Sequence, residues 1–454
     1  MPGTLDFAVI VLVIALLVTI FGGIVAGPQR VVPTLVFLSP LLLPAGATLK
    51  LPGIPDLSRG TVVGFGILPL LFFTPRDRIA SFRFSLCDVL LIGYVLWASN
   101  CVLQNQGPWA AQSSLVRGVV ALLLPYFAGR LYLQTAEDLR RMAYTATVCV
   151  LALLPLVLFE ARMGPRFAWW FYGLAPQVNY RFGVARPVLF TAHGLEFAYF
   201  MGLVFVLLIA VHRSGGLQDS RQTRILQFGA WSTAFTILLS MARGPITGLV
   251  LALLAPLAVR RTAVFSLFLA LIGVCLFLWM LSPDGRPMDV AEFVAGKGEE
   301  GASASLHYRF LQIHVFKPLF EQSPIYGFGE TWPRDEYMLI IDGLLLLTAL
   351  GSGYPGVLLL TGCWCVGILQ LRRPGSLTGT PVAALANAFA PFLGFMAFGA
   401  WGDSFFTPAH YLVLGGLTGS LVRHATLAPV EQGAWHTLRL LVTPRVQRPR
   451  GSLT

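Results

Sequence analysis

Four arginines sit where the apolar character of this chain gives them no obvious place. Arg117 lies about one turn inside an apolar block, and Arg186 lies just ahead of another. Arg243 falls in the short turn between two blocks, within Ser240-Met-Ala-Arg-Gly-Pro-Ile. Arg309 falls in the one long polar loop. An arginine within or at the edge of a membrane span costs at least a few kcal/mol unless it snorkels or finds a partner. Arg243, close to a block end, is open to snorkelling as well as to ligand binding. Four such residues on one face are harder to explain by snorkelling. Planar guanidinium forks match the oxygens of phosphates and diphosphates, so a lipid diphosphate at the outer face is the ligand chemistry these residues suit.

Acidic and imidazole groups accompany them. His193 and Glu196 are three residues apart at the start of an apolar block, a spacing that predicts one shared helix face. His193 reads equally as a satisfied interfacial histidine or as a functional one. Asp335 and Glu336 close the long loop, and Asp342 opens the next block in Ile340-Ile-Asp-Gly-Leu-Leu-Leu-Leu. An aspartate at a helix start is often a cap; facing an arginine cluster it also suits a general base for a hydroxyl. Asp342, Glu336 and His193 are the candidate catalytic groups that these residue types offer. The chain carries no HExxH, Walker, GxSxG or dinucleotide-binding pattern, so no metal site and no cofactor is expected.

The elements that must position these groups follow from composition. Of 454 residues, 56% are hydrophobic and 12% charged, with a mean hydropathy of +0.73, against roughly a quarter charged in soluble domains. The apolar residues come in blocks of about twenty, the length that crosses a bilayer. A soluble enzyme, a nucleic-acid binder and a disordered chain are excluded. The expected fold is all-α: a polytopic transmembrane helical bundle with one large loop on the outer side containing short helices. Candidate spans are 5–27, 31–48, 60–74, 86–104, 113–133, 142–161, 190–211, 225–241, 244–259, 263–282, 341–370, 383–401 and 408–423. That gives thirteen, or twelve if one of the two short ones fails. The first block has neither a basic leader nor a cleavage site, so it reads as a span. The six cysteines read as small buried hydrophobes.

The net charge of +11 resides mostly in links between blocks. Arg76, Arg78 and Arg83; Arg130, Arg140 and Arg141; Arg213, Arg221 and Arg224; Arg260 and Arg261; and Arg372 and Arg373 mark every second link. All of these then lie on the cytoplasmic side together with the basic tail. No nucleic-acid partner is implied. The long loop, 283–340, has five basic and nine acidic residues, opposite in sign to the rest. Within it Tyr308–Leu319 predicts a helix, with Phe310, Ile313, Val315 and Phe316 on a buried face. The chain divides into spans 1–282, the loop 283–340, further spans 341–423 and a basic cytoplasmic tail 424–454.

Three stretches carry a resemblance to a known family. They are Tyr180-Arg-Phe-Gly-Val-Ala-Arg-Pro-Val-Leu-Phe-Thr-Ala-His-Gly-Leu-Glu; Ser240-Met-Ala-Arg-Gly-Pro-Ile-Thr-Gly; and the run from Arg309 through Phe316-Lys-Pro-Leu-Phe-Glu-Gln-Ser-Pro-Ile-Tyr-Gly-Phe-Gly to Ile341-Asp-Gly and Gly353-Tyr-Pro-Gly. In order and in membrane side they resemble the O-antigen ligase and polymerase-like membrane glycosyltransferases, over about residues 110–360. Ligases of that family carry a His-Asn or His-Ser pair before the span that follows the large loop. Arg334-Asp-Glu-Tyr and Ile341-Asp-Gly stand there instead, similar to the exopolysaccharide and O-antigen polymerase branch.

The resemblance implies a multi-pass protein of the bacterial inner membrane with a periplasmic active face. Its donor would be an undecaprenyl-diphosphate-linked oligosaccharide and its acceptor a second glycan. A chain-length regulator protein and membrane lipids would be its other partners. It implies inverting, metal-independent transfer, with Arg117, Arg186, Arg243 and Arg309 on the diphosphate. Ligation of glycan to a lipid A-core, or transport of a lipid-linked glycan, are the alternatives.

Overall fold

The computed structural model describes residues 3–50, 55–175, 180–181, 184–213, 220–258, 262–295, 302–330, 343–371, 381–400 and 408–418. The protein is an all-α helical bundle. Its helices are α1 (Gly3–Ala26), α2 (Pro28–Leu42), α3 (Arg59–Leu70), α4 (Arg76–Ala80), α5 (Leu86–Gln106), α6 (Pro108–Gly118) and α7 (Leu124–Tyr132). The chain continues through α8 (Ala136–Met163), α9 (Phe167–Tyr172), α10 (Gly194–Arg213), α11 (Ser220–Leu239), α12 (Arg243–Ala258) and α13 (Thr262–Leu281). The last helices among the described residues are α14 (Pro287–Ala295), α15 (Ala302–Gln322), α16 (Leu344–Gln370), α17 (Pro381–Gly399) and α18 (408–418). Two antiparallel ladders of two residues each, 48–49 with 57–58 and 180–181 with 184–185, pin loops at one end.

Among the described residues every apolar block carries a helix, but not every one is a full span. Among the described residues, eight helices are long and apolar enough to cross a membrane, α6 and α7 counting as one through a π-helical segment at 119–123. The rest are shorter, as α2, α3 and α12 are, or open on polar turns, as α11 does with Arg221, Gln222 and Arg224. The innermost helix is α10, buried along most of its length. Around it lie α8, α11, α12 and α17, while α5 packs along α16.

Helix boundaries follow local chemistry. Ser85 and Thr135 cap α5 and α8, each accepting the N–H of an aspartate (Asp88, Asp138) whose carboxylate returns to the cap's own N–H. α8 therefore begins six residues before its apolar run. α10 begins four residues later than the hydropathy suggests, because 188–191 form a turn with Leu189 at φ 51°.

Arg130, one of the basic residues that mark the links, is 1% exposed, near the end of α7. Its Nη2 lies 3.2 Å from Oδ2 of Asp88, which is itself fully buried. Asp88 also accepts the Tyr126 hydroxyl at 2.7 Å. Arg130 donates to the Arg83 carbonyl, and its guanidinium covers the Phe82 ring at 4.9 Å. The hydrophobic run around Arg130 ends here in a knot that ties α5 to α7. Nearby, Arg78 pairs with Asp138 at 3.1 Å and Thr74 bonds Tyr132 at 2.6 Å.

The helix predicted over Tyr308–Leu319 is present inside the longer α15, with Phe310, Ile313 and Phe316 buried and Val315 half-buried. Cys87, Cys101 and Cys363 are buried, whereas Cys275 is exposed, contrary to a reading of all six as buried.

Candidate functional site

The end of the bundle opposite the Arg130 knot is shaped by a second buried carboxylate. Glu160, near the end of α8, has no exposed surface. Its Oε1 accepts the N–H groups of Arg166 and Phe167, both at 3.1 Å. Its Oε2 accepts those of Val188 and Leu189 at 2.9 and 2.7 Å. One side chain thus fixes both ends of the segment between α8 and α10, satisfying amides that would otherwise be buried without acceptors. The segment packs on the turn after α2: the Tyr172 hydroxyl donates to the Leu42 carbonyl at 3.2 Å, and the Ala45 N–H donates to the Phe190 carbonyl at 3.0 Å. Burial pushes the Tyr172 phenol above its usual range, keeping it a neutral donor.

This frame presents Arg186. The residue is 4% exposed, and its Nη2 donates to the Met241 carbonyl at 3.3 Å. Met241 holds φ 49° in the turn between α11 and α12, and that turn delivers Arg243, exposed, as the first residue of α12. Arg186 also lies against Gly194, the first residue of α10. The structure therefore joins Arg186, the Arg243 turn and the start of α10, three pieces distant in sequence.

His193 and Glu196 do not share a helical face. His193 precedes α10, and its Nδ1 accepts the Leu195 N–H at 2.9 Å. Glu196, in the first turn, accepts the Ala192 N–H at 2.9 Å. Together they cap the helix, satisfying N–H groups that a helix start leaves unbonded. An Nδ1 that accepts a hydrogen bond fixes the neutral ring with its proton on Nε2. That makes Nε2–H a donor, suited to an anion's oxygen rather than to taking a proton. Glu196 is further engaged by Arg59, the first residue of α3, at 2.5 Å.

The other candidates lie elsewhere. Arg117, on α6, pairs with Glu330 at 3.0 Å with both side chains largely exposed. Arg309 is half-buried on α15 beside the buried Phe310. Asp342 and Glu336 lie outside the described residues.

Glu330 follows a segment that docks into a break in α16. Gly353 interrupts that helix with φ 63° and ψ −168°, a region open essentially to glycine alone. The freed backbone groups bond the 324–329 segment: Phe328 N–H to the Leu350 carbonyl at 2.6 Å, Gly329 N–H to Gly351 at 3.1 Å, and Tyr354 N–H to Pro324 at 2.8 Å. A Cβ on Gly353 would collide with the Ile325 carbonyl. Trp97 of α5 clamps both sides, stacking on Tyr326 and donating to the Ser352 carbonyl at 2.8 Å. Two parts of the third stretch that carries the resemblance, the run ending at Gly329 and the one opening at Gly353, are thus partners.

Sequence reasoning passed over Arg59 and Glu160. The signals were present: Glu160 is a carboxylate near the end of an apolar run, a placement that marks function or structure by default. Arg59 precedes a span on the side where the charge pattern calls for no arginine. Among the described residues, no group of three or more His, Cys, Asp or Glu side chains could hold a metal ion.

A scan of protein-family models and a search of curated proteins found no match to this chain. The fold alone defines the class. It is a polytopic helical membrane protein, and the chain passes through the membrane many times.

Proposed function

We propose that this protein is an inverting, metal-independent glycosyltransferase of the bacterial inner membrane. It would work at the periplasmic face, joining undecaprenyl-diphosphate-linked oligosaccharide repeat units into O-antigen or exopolysaccharide. The observation that carries this reading is the convergence of Arg186, the Arg243 turn and His193 at one end of the bundle, on a backbone frame fixed by Glu160. Sugar nucleotides are cytoplasmic, so transfer at the opposite face requires a lipid-carried donor, and its diphosphate is the anion such a group fits.

In this reading the acceptor hydroxyl attacks the anomeric carbon from the face opposite the diphosphate. A new carbon–oxygen bond forms as the bond to the phosphate oxygen breaks, and that electron pair leaves with the lipid diphosphate. Asp342, with Glu336 as the second carboxylate, takes the hydroxyl proton. Arg186 and Arg243 stabilise the growing charge on the leaving group, the kind of term worth about 10²–10³-fold in rate for one donor. Arg309, on α15, and Arg117, on α6 and paired with Glu330, stand apart from this group, so the leaving-group charge is assigned to Arg186 and Arg243. The Nε2–H of His193 donates to a diphosphate oxygen.

The test is a gel profile of surface glycan and lipid-linked intermediates in a deletion strain complemented with wild type or Arg243→Ala. Arg243 is exposed, so its removal leaves the fold intact. Single repeat units on the lipid core, without long chains, are the expected result. Bare core with full-length glycan stranded on the carrier would make the protein a ligase. Unchanged glycan length and attachment would overturn both readings and favour transport.

A further inference from the structure

A polar recess lies at the end of the bundle away from Arg186 and Arg243. A cavity of about 390 Å³ opens where the start of α2, the end of α7 and the first turns of α8 and α11 meet. Arg30, Arg140 and Arg141 line it, with Gln29, Gln222 and Tyr144. We propose that this cavity binds the phosphate of an anionic phospholipid headgroup. The inference does not depend on the glycosyltransferase reading.

Charge and partnering both point to an anion. Three arginines face two carboxylates, and one of these, Asp138, is already engaged by Arg78 at 3.1 Å and by the Thr135 N–H. Glu137 is shared between Arg140 at 3.7 Å and Arg141 at 3.1 Å. It is more than half exposed, so these pairs are weak and exchangeable. Arg30 makes no ion pair among the described residues. The Nε of Arg140 is buried with no hydrogen-bond partner. The N-terminus of α2, a helix of 15 residues opening on Gly27-Pro28, adds its positive dipole end.

The surroundings favour a lipid over a soluble phosphate. Tyr144, on the cavity wall, is 44% exposed, and farther along the two helices Val148, Phe228, Trp231 and Phe235 present large exposed apolar surface. A headgroup in the cavity leaves its acyl chains against these side chains. Basic pockets between helix ends are a recurrent way to hold anionic headgroups.

The experiment follows thermal unfolding of the purified full-length protein in neutral detergent. Phosphatidylglycerol, phosphatidylcholine or inorganic phosphate is titrated into wild type, Arg30→Gln/Arg140→Gln and Arg76→Gln. Arg76 is exposed at the same end but does not line the cavity, so it controls for bulk charge. Phosphatidylglycerol is expected to stabilise wild type and Arg76→Gln alike. The double variant should need roughly tenfold more lipid, or more, for half the effect. Should the double variant not fold, Arg30→Gln alone, at an exposed position, carries the comparison. Equal stabilisation by inorganic phosphate would keep the phosphate site but assign it to a soluble ligand. Equal response of wild type and variant, or phosphatidylcholine acting as well as phosphatidylglycerol, overturns the proposal.

Discussion

Asp88 and Glu160 are both carboxylates with no exposed surface, at opposite ends of the same bundle, and their surroundings differ. Asp88 meets a guanidinium, a phenol and its own helix cap. Glu160 meets four backbone amides drawn from two ends of one connecting segment. The first arrangement joins helix to helix: side chains of α5 and α7 close on each other, and the apolar surfaces around them exclude water. The second gives a connecting segment one fixed shape, so that Arg186 is held close to the Met241 carbonyl and the start of α10. A buried charge thus serves assembly at one end and presentation at the other.

The contrast is open to breaking. The largest effect is expected from Asp88→Ala, which leaves Arg130 buried without its counter-ion. Loss of one partner of such a pair costs about 3–5 kcal/mol, read as a large fall in the unfolding temperature of detergent-solubilised protein. Arg130→Met in the same chain should recover much of it, because the orphaned charge is gone. If the double variant is no better than the single, charge burial is not what the knot manages.

Glu160→Gln sharpens the other side. A glutamine keeps one acceptor oxygen but turns an N–H₂ toward two of the amides, an expected cost of about 1–3 kcal/mol. The effect should be local: hydrogen exchange should quicken at Arg166, Phe167, Val188 and Leu189 while the α5 and α7 amides stay protected. If the proposed glycosyltransferase reading holds, long-chain glycan should fall, the outcome expected for Arg243→Ala as well. Global loss of protection would erase the distinction between the two carboxylates.

A smaller effect than that of Asp88→Ala should come from Tyr126→Phe, which removes one donor from Asp88 and keeps the ring. About 1.5–3 kcal/mol is expected for a hydrogen bond to a charged group, short of Asp88→Ala in the same unfolding assay. An equal loss would mean that the phenol, not Arg130, holds the carboxylate.

The helical class of the protein and the position of each long apolar helix among the described residues were legible in the sequence. Apolar length and cap spacing are properties of contiguous residues, and the cost of exposing backbone polar groups in lipid leaves such blocks little choice but helix. The arginines Arg186 and Arg243 were legible too, because a charge beside an apolar run is conspicuous wherever the chain goes. What only the tertiary structure decided is partnership. Arg130 looks like any link arginine until Asp88 of α5 is packed against it. His193 and Glu196 look like one helical face until the turn at 188–191 delays α10 and makes both of them caps. The segment 324–329 and the glycines around Gly353 lie more than twenty residues apart in sequence, and only the break in α16 makes the first the hydrogen-bond partner of the second. Which polar groups meet depends on which ends of helices distant in sequence lie side by side, and the spacing along a single stretch of chain carries no record of that.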